Sequence, residues 1–242
     1  MKARIDQLLV ERGLVETRER AQALILAGEV LIDGQKADKP GRSVADDCKL
    51  ELLAKLPFVS RGGFKLAGAL DHFKIDVRGW DCIDVGSSTG GFTDCLLQRG
   101  AVSVCAIDVG KGQLDWKLRT DPRVDLREGV NARYLLPEHF SRRFRLAVCD
   151  ASFISVTLLI PSFAKLLRED GTMVILVKPQ FEVGKGEVGK GGIVRDPVLH
   201  QGACDRVRAC VEQLGFAAQI IDSPILGAEG NKEFLLYAQR AH

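Results

Sequence analysis

The sequence predicts an α/β fold built on a mainly parallel sheet, preceded by a small α+β unit. An apolar run at Cys82–Val85 leads through a glycine-rich turn into a helical pattern. Strand-length apolar runs then alternate with helical patterns to the end of the chain, which is typical of a parallel sheet with crossover helices. The first 55 residues follow a separate pattern of two helices and a hairpin. We therefore predict a small domain at 1–55, a linker at 56–63 and an α/β domain at 64–242.

Composition and charge set the first limits on function. The 242 residues are 46% hydrophobic, which predicts a folded globular protein. No apolar run approaches the ~20 residues of a membrane-spanning helix and the N-terminus lacks an apolar signal core, so we expect a cytoplasmic protein without membrane contact. The seven cysteines form no C-x-x-C pair, and we expect reduced core thiols with no metal site. The net charge of +2 does not by itself indicate nucleic-acid binding.

The first 55 residues carry helix and turn signals in order. Apolar residues at helical spacing predict a helix over 4–12, and Thr17 is expected to cap a second helix that ends at Gly28. A strand follows, and Asp33-Gly34 predicts a type I′ hairpin turn. The strands of this unit are expected at Val30–Ile32 and Lys49–Leu53.

The run from Arg4 to Gly34 resembles the small RNA-binding domain first seen in a small-subunit ribosomal protein. The resemblance implies that residues 1–55 bind RNA. Acidic and basic residues balance over this range, so binding must come from one face of the unit. The expected phosphate contacts are Arg4, Arg18 and Arg20, and for each of them a solvated helix surface is the alternative.

The glycine-rich turn after Val85 predicts a nucleotide-like ligand. Gly86 ends the apolar run, and Gly90-Gly91 open the next helix, whose free N–H groups and close backbone approach suit such ligands. The dinucleotide pattern G-x-G-x-x-G is absent, because Ser87-Ser88 stand where its second glycine belongs, and NAD is therefore disfavoured. An ordinary strand–helix unit with a tight turn remains the alternative.

An acid two residues before Gly86, with a Gly-Gly pair opening the helix, resembles the S-adenosylmethionine loop of FtsJ-type methyltransferases. This resemblance implies a Rossmann-like sheet with S-adenosylmethionine as its cofactor. Asp108, at the end of the next apolar run, would accept hydrogen bonds from the ribose hydroxyls of the cofactor. The implied cofactor-binding residues are Asp84, Gly86, Ser88, Gly90, Gly91, Phe92, Asp108 and Asn131.

The remaining elements follow from hydrophobic periodicity. Pro57 and Gly62-Gly63 mark the linker, and a helix from Phe64 carries Lys65 in its first turn. Strands are expected at Val102–Asp108, Arg123–Leu126, Arg145–Cys149, Thr172–Val177, Ala217–Ile221 and Glu233–Ala238. Helices are expected at Gln113–Leu118, Val156–Leu167 and Val198–Leu214.

The segment Phe181–Pro197 is basic and rich in glycine. It nearly matches a phosphate-binding P-loop, but Gly191 follows Lys190 where that motif needs a hydroxyl ligand for magnesium. No helix opens there either. We interpret the segment as a mobile substrate-binding loop.

Four ionisable residues, Lys65, Asp150, Lys178 and Glu233, are predicted to meet beyond the carboxyl ends of the strands. The set resembles the catalytic tetrad of FtsJ-type RNA 2′-O-methyltransferases. Together with the N-terminal unit, its sequence contexts resemble the hemolysin A, or TlyA-type, family. That family implies methylation of a cytidine ribose 2′-hydroxyl in ribosomal RNA, with ribosomal subunits as partners.

The resemblance also implies roles for individual residues. Methylation of a weakly acidic hydroxyl needs a base, and Lys178 is the expected base with Asp150 orienting it. Lys65 and Glu233 are expected to position the substrate, and a structural salt bridge is the alternative for each pair. Further RNA contacts are expected at Arg61, Arg133 and Lys185.

Three other functions are less compatible with the sequence than ribose methylation. A non-catalytic RNA-binding or ribosome-assembly factor would not need both lysines. A pore-forming hemolysin is suggested only by the name of the family. It is disfavoured because the sequence predicts no membrane-spanning segment. A dehydrogenase is disfavoured by the spacing of the glycine loop. No oligomeric state is predicted.

Overall fold

The computed structural model describes residues 2–26, 28–52, 57–227 and 230–241, with the backbone alone at position 185. Its contacts divide the chain into two units, Met1–Pro57 and Phe58–His242. The second part of the expected linker, Phe58 to Gly63, therefore belongs to the larger unit. Within that unit the Phe58 ring packs where a side chain at Gly63 would lie, so only glycine fits there.

The described residues of the smaller unit form two helices and two small sheets. Strand β1 pairs with β4, and a second sheet has the order β3-β2-β5; all these pairs are antiparallel. The helices bury Ile5, Leu9, Ala21 and Ile25 in one apolar core. The elements are β1 (Lys2–Arg4), α1 (Ile5–Glu11), α2 (Arg18–Leu26), β2 (Val30–Ile32), β3 (Gln35–Lys36), β4 (Ser43–Ala45) and β5 (Leu50–Leu52).

The local signals in this unit are confirmed. Thr17 Oγ1 accepts a hydrogen bond from the N–H of Arg20 at 3.2 Å, as an N-cap does. Asp33 and Gly34 both have positive φ, 48° and 81°, which is the type I′ geometry. The predicted return strand is observed at β5, although its last expected residue, Leu53, lies outside the described residues.

The larger unit is a seven-stranded sheet covered by helices, with the strand order β11-β12-β10-β9-β6-β7-β8. Apolar side chains alternate between its faces, so that Ala147 and Cys149 of β9 face one core and Leu146 and Val148 the other. Its strands are β6 (Asp81–Val85), β7 (Ser103–Asp108), β8 (Val124–Glu128), β9 (Phe144–Cys149), β10 (Leu167–Val177), β11 (Phe216–Asp222) and β12 (Phe234–Arg240). Its α-helices are α3 (Gly62–His72), α4 (Gly91–Gln98), α5 (Trp116–Arg119), α6 (Ile160–Ala164), α7 (Pro179–Glu182) and α8 (Pro197–Gln213).

The sheet is not wholly parallel, because β12 runs antiparallel to both of its neighbours, β10 and β11. Phe234 at the start of β12 pairs with Val177 at the end of β10. The beginning of β12 therefore lies at the edge where the parallel strands end. Glu233, expected as the first residue of this strand, immediately precedes it at that same edge.

The predicted helix Val156–Leu167 is only partly observed. A 3₁₀ turn at Val156–Leu158 is followed by the five-residue helix α6, and Leu167 already lies in β10, opposite Phe144. Pro161 explains the break, because it has no N–H to bond to the carbonyl four residues earlier. Proline is accepted in the first turn of a helix, where α6 places it.

All seven cysteines are free thiols, and six of them are buried, in line with the prediction of core residues. Burial raises the pKa of the Cys204 thiol to about 11, which keeps it protonated at neutral pH. Among the described residues, no helix combines the length and the apolar character needed to cross a membrane.

Candidate active site

The turn between β6 and α4 has a backbone that glycine alone adopts easily. Gly86 and Gly90 have φ of 81° and 96°. A Cβ on Gly86 would lie 3.0 Å from Cα of Ala151, and one on Gly90 would collide with the side chain of Leu118. Ser88 also has positive φ, 48°, which is uncommon for a residue with a side chain. Both conformation and space therefore require glycine at positions 86 and 90.

Two cavities border this turn. The larger has a volume of about 500 Å³ and the smaller about 230 Å³. Gly86, Ser88 and Asp150 line both cavities, so the two meet beside Asp150. The larger volume is typical of a small-molecule site.

Asp108 and Asn131 lie on the wall of the larger cavity. Asp108 accepts the N–H of Ser88 on Oδ2 and the N–H of Gly110 on Oδ1, both at 2.7 Å. Each carboxylate oxygen keeps acceptor capacity for a further donor. Asn131 Oδ1 accepts the N–H of Arg133 at 3.0 Å and so caps a 3₁₀ turn after β8.

Asp84 lines neither cavity. Its side chain is fully buried, and its Oδ2 accepts a hydrogen bond from Thr93 Oγ1 at 2.6 Å, which joins the end of β6 to α4. Burial raises the pKa of Asp84 to about 7, and the bond from Thr93 opposes this rise. Asp84 thus stabilises the turn from the protein core, through its hydrogen bond with Thr93. Gly90 also lines neither cavity, whereas Gly91 and Phe92 line the smaller one.

Asp150 and Lys178 follow the neighbouring strands β9 and β10 and form an ion pair. Lys178 Nζ lies 2.7 Å from Asp150 Oδ1 and donates to Ser152 Oγ, also at 2.7 Å. Only 11% of the Lys178 side chain is exposed. The lysine head is therefore held next to the carboxylate that borders both cavities.

Lys65 and Glu233 form a second ion pair, and its side chains are 10% and 3% exposed. Lys65 lies in the first turn of α3, where the helix dipole disfavours a cation, and the carboxylate of Glu233 offsets that cost. Lys65 also lines the smaller cavity together with Asp150. The predicted set of four is thus arranged as two ion pairs, Lys65 with Glu233 and Lys178 with Asp150.

Asp94 fixes the segment that leads to Lys65, and the sequence did not single it out. Its buried carboxylate accepts the N–H of Val59 at 2.8 Å and Lys117 Nζ at 3.0 Å, both on Oδ2. Close packing adds to this, since Ser60 Oγ occupies the space that a side chain at Gly91 would need. An acid in the first turn of a helix is so common that it gave no functional signal.

Two further buried polar side chains join the loops around the site. Glu182 accepts Ser155 Oγ at 2.6 Å and the N–H of Val156 at 2.8 Å, and so connects the segments that follow Lys178 and Asp150. Asn231 donates to the carbonyl of Gly192 at 3.0 Å and accepts the N–H of Val194 at 3.1 Å. The basic segment predicted as a mobile loop contains the end of α7 and two 3₁₀ turns, at Lys185–Glu187 and Lys190–Gly192.

The expected RNA contacts fall in both units. In the larger unit Arg61 is exposed and lines the smaller cavity, and Arg133 is exposed after Asn131. The side chain of Lys185 lies outside the described residues. In the smaller unit Arg20 is exposed, whereas Arg4 and Arg18 both bind the carboxylate of Asp6. The residues described contain no cluster of three or more His, Cys, Asp or Glu that could hold a metal ion.

Comparison with known proteins identifies the families to which the two units are similar. The family model of FtsJ-like methyltransferases matches residues 58–240, and that of the S4 domain matches residues 3–46. The chain is 47% identical to the 16S/23S rRNA (cytidine-2′-O)-methyltransferase TlyA of Mycobacterium tuberculosis, over 98% of this chain and 89% of that protein. It is 41% identical to hemolysin A of Brachyspira hyodysenteriae, over 97% and 98% of the two chains.

The fold is shared with a solved structure as well. A putative hemolysin from Streptococcus thermophilus superposes with a TM-score of 0.77 at 44% identity, over 99% of this chain and 89% of that one. The match to the methyltransferase model covers the whole sheet and both ion pairs. The chain therefore belongs to the FtsJ-like methyltransferase family and carries an S4 domain ahead of its catalytic domain.

Proposed function

We propose that this protein transfers a methyl group from S-adenosylmethionine to the ribose 2′-hydroxyl of a cytidine in ribosomal RNA. The observation that carries the proposal is the position of Asp150. This residue borders both cavities, and its Oδ1 lies 2.7 Å from Lys178 Nζ. A cofactor in one cavity and a nucleotide in the other would meet beside this pair. The 47% identity to a relative named as an rRNA cytidine-2′-O-methyltransferase supports the same substrate.

The larger cavity fits the cofactor. Asp108 offers two acceptor oxygens to the ribose hydroxyls, and Asn131 lies on the same wall. At Gly86 a side chain would crowd the backbone of Ala151, so the glycine keeps the space beside the turn open. When bound, S-adenosylmethionine supplies an electrophilic methyl group. Of the other residues predicted for the cofactor, Ser88 lines this cavity, Gly91 and Phe92 line the smaller one, and Asp84 and Gly90 shape the turn without lining either.

The neutral amine form of Lys178 takes the proton of the 2′-hydroxyl, so the ammonium of the ion pair first releases its own proton to solvent. A ribose hydroxyl is a weak acid, so a positioned base lowers the barrier to its reaction. Asp150 and Ser152 hold Nζ from two sides, which fixes the direction in which the amine meets the hydroxyl. Lys178 is an ammonium again afterwards, and the ribose oxygen carries the methyl group, with S-adenosylhomocysteine as the leaving group.

Lys65 positions the hydroxyl from the smaller cavity, and Glu233 positions Lys65. Glu233 is 3% exposed and reaches the site through its ion pair with Lys65. Because Lys65 lies on the wall that Asp150 also lines, its ammonium and the Lys178–Asp150 pair border the same space. Placement of this kind turns an encounter into a reaction of fixed partners.

Arginine and lysine side chains of both units bind the RNA. Arg4, Arg18 and Arg20 of the S4 domain contact phosphates, and Arg61, Arg133 and Lys185 add contacts on the catalytic domain. These contacts are independent of base sequence, so they position the RNA while the catalytic groups act on one ribose. The partners are ribosomal subunits, and the site of action is the cytoplasm.

The test is methyl transfer from labelled S-adenosylmethionine to unmethylated small and large ribosomal subunits, with the modified ribose located by mapping. Lys178→Ala is expected to lower the rate about 10²–10⁴-fold, while affinity for S-adenosylhomocysteine stays unchanged. Lys165→Ala is the matched control, because this exposed lysine precedes β10 at the opposite edge of the sheet.

A Lys178→Ala enzyme that keeps the wild-type rate would refute the assigned base. Methylation on a base or on protein would refute the proposed reaction. RNA binding with no transfer by the wild-type protein would instead favour a non-catalytic RNA-binding factor.

A further inference from the structure

Asp6 in α1 of the smaller unit is a charged residue with no solvent exposure. Its Oδ1 accepts Arg4 Nε at 3.0 Å. Its Oδ2 accepts Arg4 Nη2 at 3.0 Å, Arg18 Nε at 2.9 Å and Gln22 Nε2 at 2.9 Å. The hydrogen bonds from Arg4 above all hold the pKa of this carboxyl well below its usual range. Asp6 is therefore an anion that binds two guanidinium groups at once.

The two arginines remain accessible although they are bound. The side chains of Arg4 and Arg18 are 42% and 46% exposed, while Asp6 between them is 0% exposed. Asp6 engages Nε and Nη2 of Arg4 but only Nε of Arg18. A guanidinium carries five N–H donors, so each retains donors for a further anion.

The backbone near Gly41 is fitted to the Arg4 guanidinium. A Cβ on Gly41 would lie 3.3 Å from both Nη atoms of Arg4, which is closer than ordinary van der Waals contact. Glycine thus lets the guanidinium lie flat against the chain. Arg4 is held on one side by Asp6 and approached on the other by Gly41, and so it keeps a defined orientation.

One carboxylate bound to two guanidinium groups leaves a net positive charge at a half-exposed site. Arginine binds phosphate best when its planar fork is already oriented, since less side-chain freedom is then lost on binding. A buried ion pair that only supported helix packing would not need both arginines to stay half-exposed.

We propose that Asp6 is a positioning residue that holds Arg4 and Arg18 side by side as one phosphate-binding pair for RNA. The proposal rests on the proposed function, because it assumes that the smaller unit binds ribosomal RNA. It assigns the anchoring role to an acid in a unit whose charges otherwise balance.

The sign of one substitution separates this inference from simple electrostatics. Asp6→Asn makes the net charge more positive by one, so charge alone predicts tighter RNA binding. Loss of the anchor predicts weaker binding, because two guanidinium groups lose their fixed orientation. Asp38→Asn is the matched control, since it changes the charge equally at an exposed acid of the same unit.

The experiment titrates the full-length protein with unmethylated small and large ribosomal subunits over a range of salt concentrations. Asp6→Asn is expected to bind about tenfold more weakly, with a slope of log affinity against log salt reduced by about one to two. Asp38→Asn is expected to bind equally or slightly more tightly. Adding Arg18→Ala to Asp6→Asn is expected to cost less than Arg18→Ala alone, because the pair acts as a unit.

Arg4→Lys keeps the test decisive if Asp6→Asn fails to fold, which thermal unfolding would reveal. Lysine retains the charge but not the fork, so weaker binding is again expected. Binding by either folded variant that equals or exceeds that of the wild type would overturn the inference. If the wild-type protein binds neither subunit, the proposed function fails together with the inference, whereas a failure confined to Asp6→Asn and Arg4→Lys affects the inference alone.

Discussion

Asp150 and Lys178 directly follow two adjacent parallel strands, β9 and β10, and the pairing of these strands brings Lys178 Nζ to 2.7 Å from Asp150 Oδ1. The second pair is built differently, since Lys65 comes from the first turn of α3 and Glu233 from the residue before an antiparallel strand. The four groups thus arrive from four separate elements. Such a site holds its geometry only while the sheet order is intact.

The Lys178–Asp150 pair is expected to act as a unit in catalysis. Asp150→Asn keeps the shape of the side chain but loses its charge, and we expect at least a hundredfold fall in kcat. The double variant Lys178→Ala/Asp150→Asn should be little slower than Lys178→Ala, because a base and its orienter do not contribute independently. Single-turnover rates of the three variants provide the measurement, and additive losses would contradict the assignment.

Loss of either partner of the Lys65–Glu233 pair is expected to lower the free energy of unfolding. Removing one partner leaves a buried charge without compensation, so Glu233→Ala should lower the free energy of unfolding by roughly 3–5 kcal/mol. Lys65→Met/Glu233→Leu should recover most of this loss, since it buries no charge. Urea unfolding measures both effects. The double variant should still lack methyl transfer, and restored activity would rule out a positioning role for Lys65.

Asp84 is expected to make stability depend on pH. Its pKa is about 7 in the folded protein and about 3.9 when unfolded, so between these values the folded state keeps a proton that the unfolded state releases. Stability should therefore fall as pH rises from about 4 to 7, by roughly 4 kcal/mol from this group. Asp84→Asn cannot lose a proton and should lack this decline. If the free energies of unfolding of the wild type and Asp84→Asn change with pH in the same way, the raised pKa of Asp84 is contradicted.

Asp94 is expected to affect the rate of methyl transfer, because it holds the segment before Lys65 in place. Asp94→Ala frees the Val59 N–H, and we expect kcat to fall about tenfold or more, with little change in affinity for S-adenosylhomocysteine. Lys117→Ala is the matched control, because it removes the other partner on Oδ2 and leaves the Val59 bond in place. A similar loss in both variants would point to general destabilisation instead.

The larger cavity is expected to bind S-adenosylmethionine in preference to NAD. Asp108→Ala removes both the acceptors for the ribose and the anchor for Ser88 and Gly110, so affinity should fall about 10–100-fold. Isothermal titration with S-adenosylhomocysteine and with NAD measures this preference. Glu212→Ala, at an exposed position of α8, should bind as the wild type does. Binding of NAD alone would overturn the interpretation of the glycine turn.

Features that depend only on neighbouring residues could be predicted from the sequence. The Thr17 cap, the Asp33-Gly34 turn and the strand–glycine–helix unit are each fixed within a few residues, so their chemistry is readable locally. The ends of β9 and β10 were also predictable, because each apolar run stops at a charged residue. The helix predicted over 156–167 is broken at Pro161, a local signal that hydrophobic periodicity outweighed in the prediction.

Which of the charged groups meet depends on the three-dimensional fold. Lys65 and Glu233 are separated by 168 positions, and their pairing follows from the antiparallel insertion of β12, which no local pattern specifies. The bond from the Val59 N–H to Asp94 spans 35 positions and likewise depends on how α4 packs. The sequence supplies the charges, and the order of strands in the sheet selects their partners, because contacts between distant segments are set by burial of the whole apolar surface.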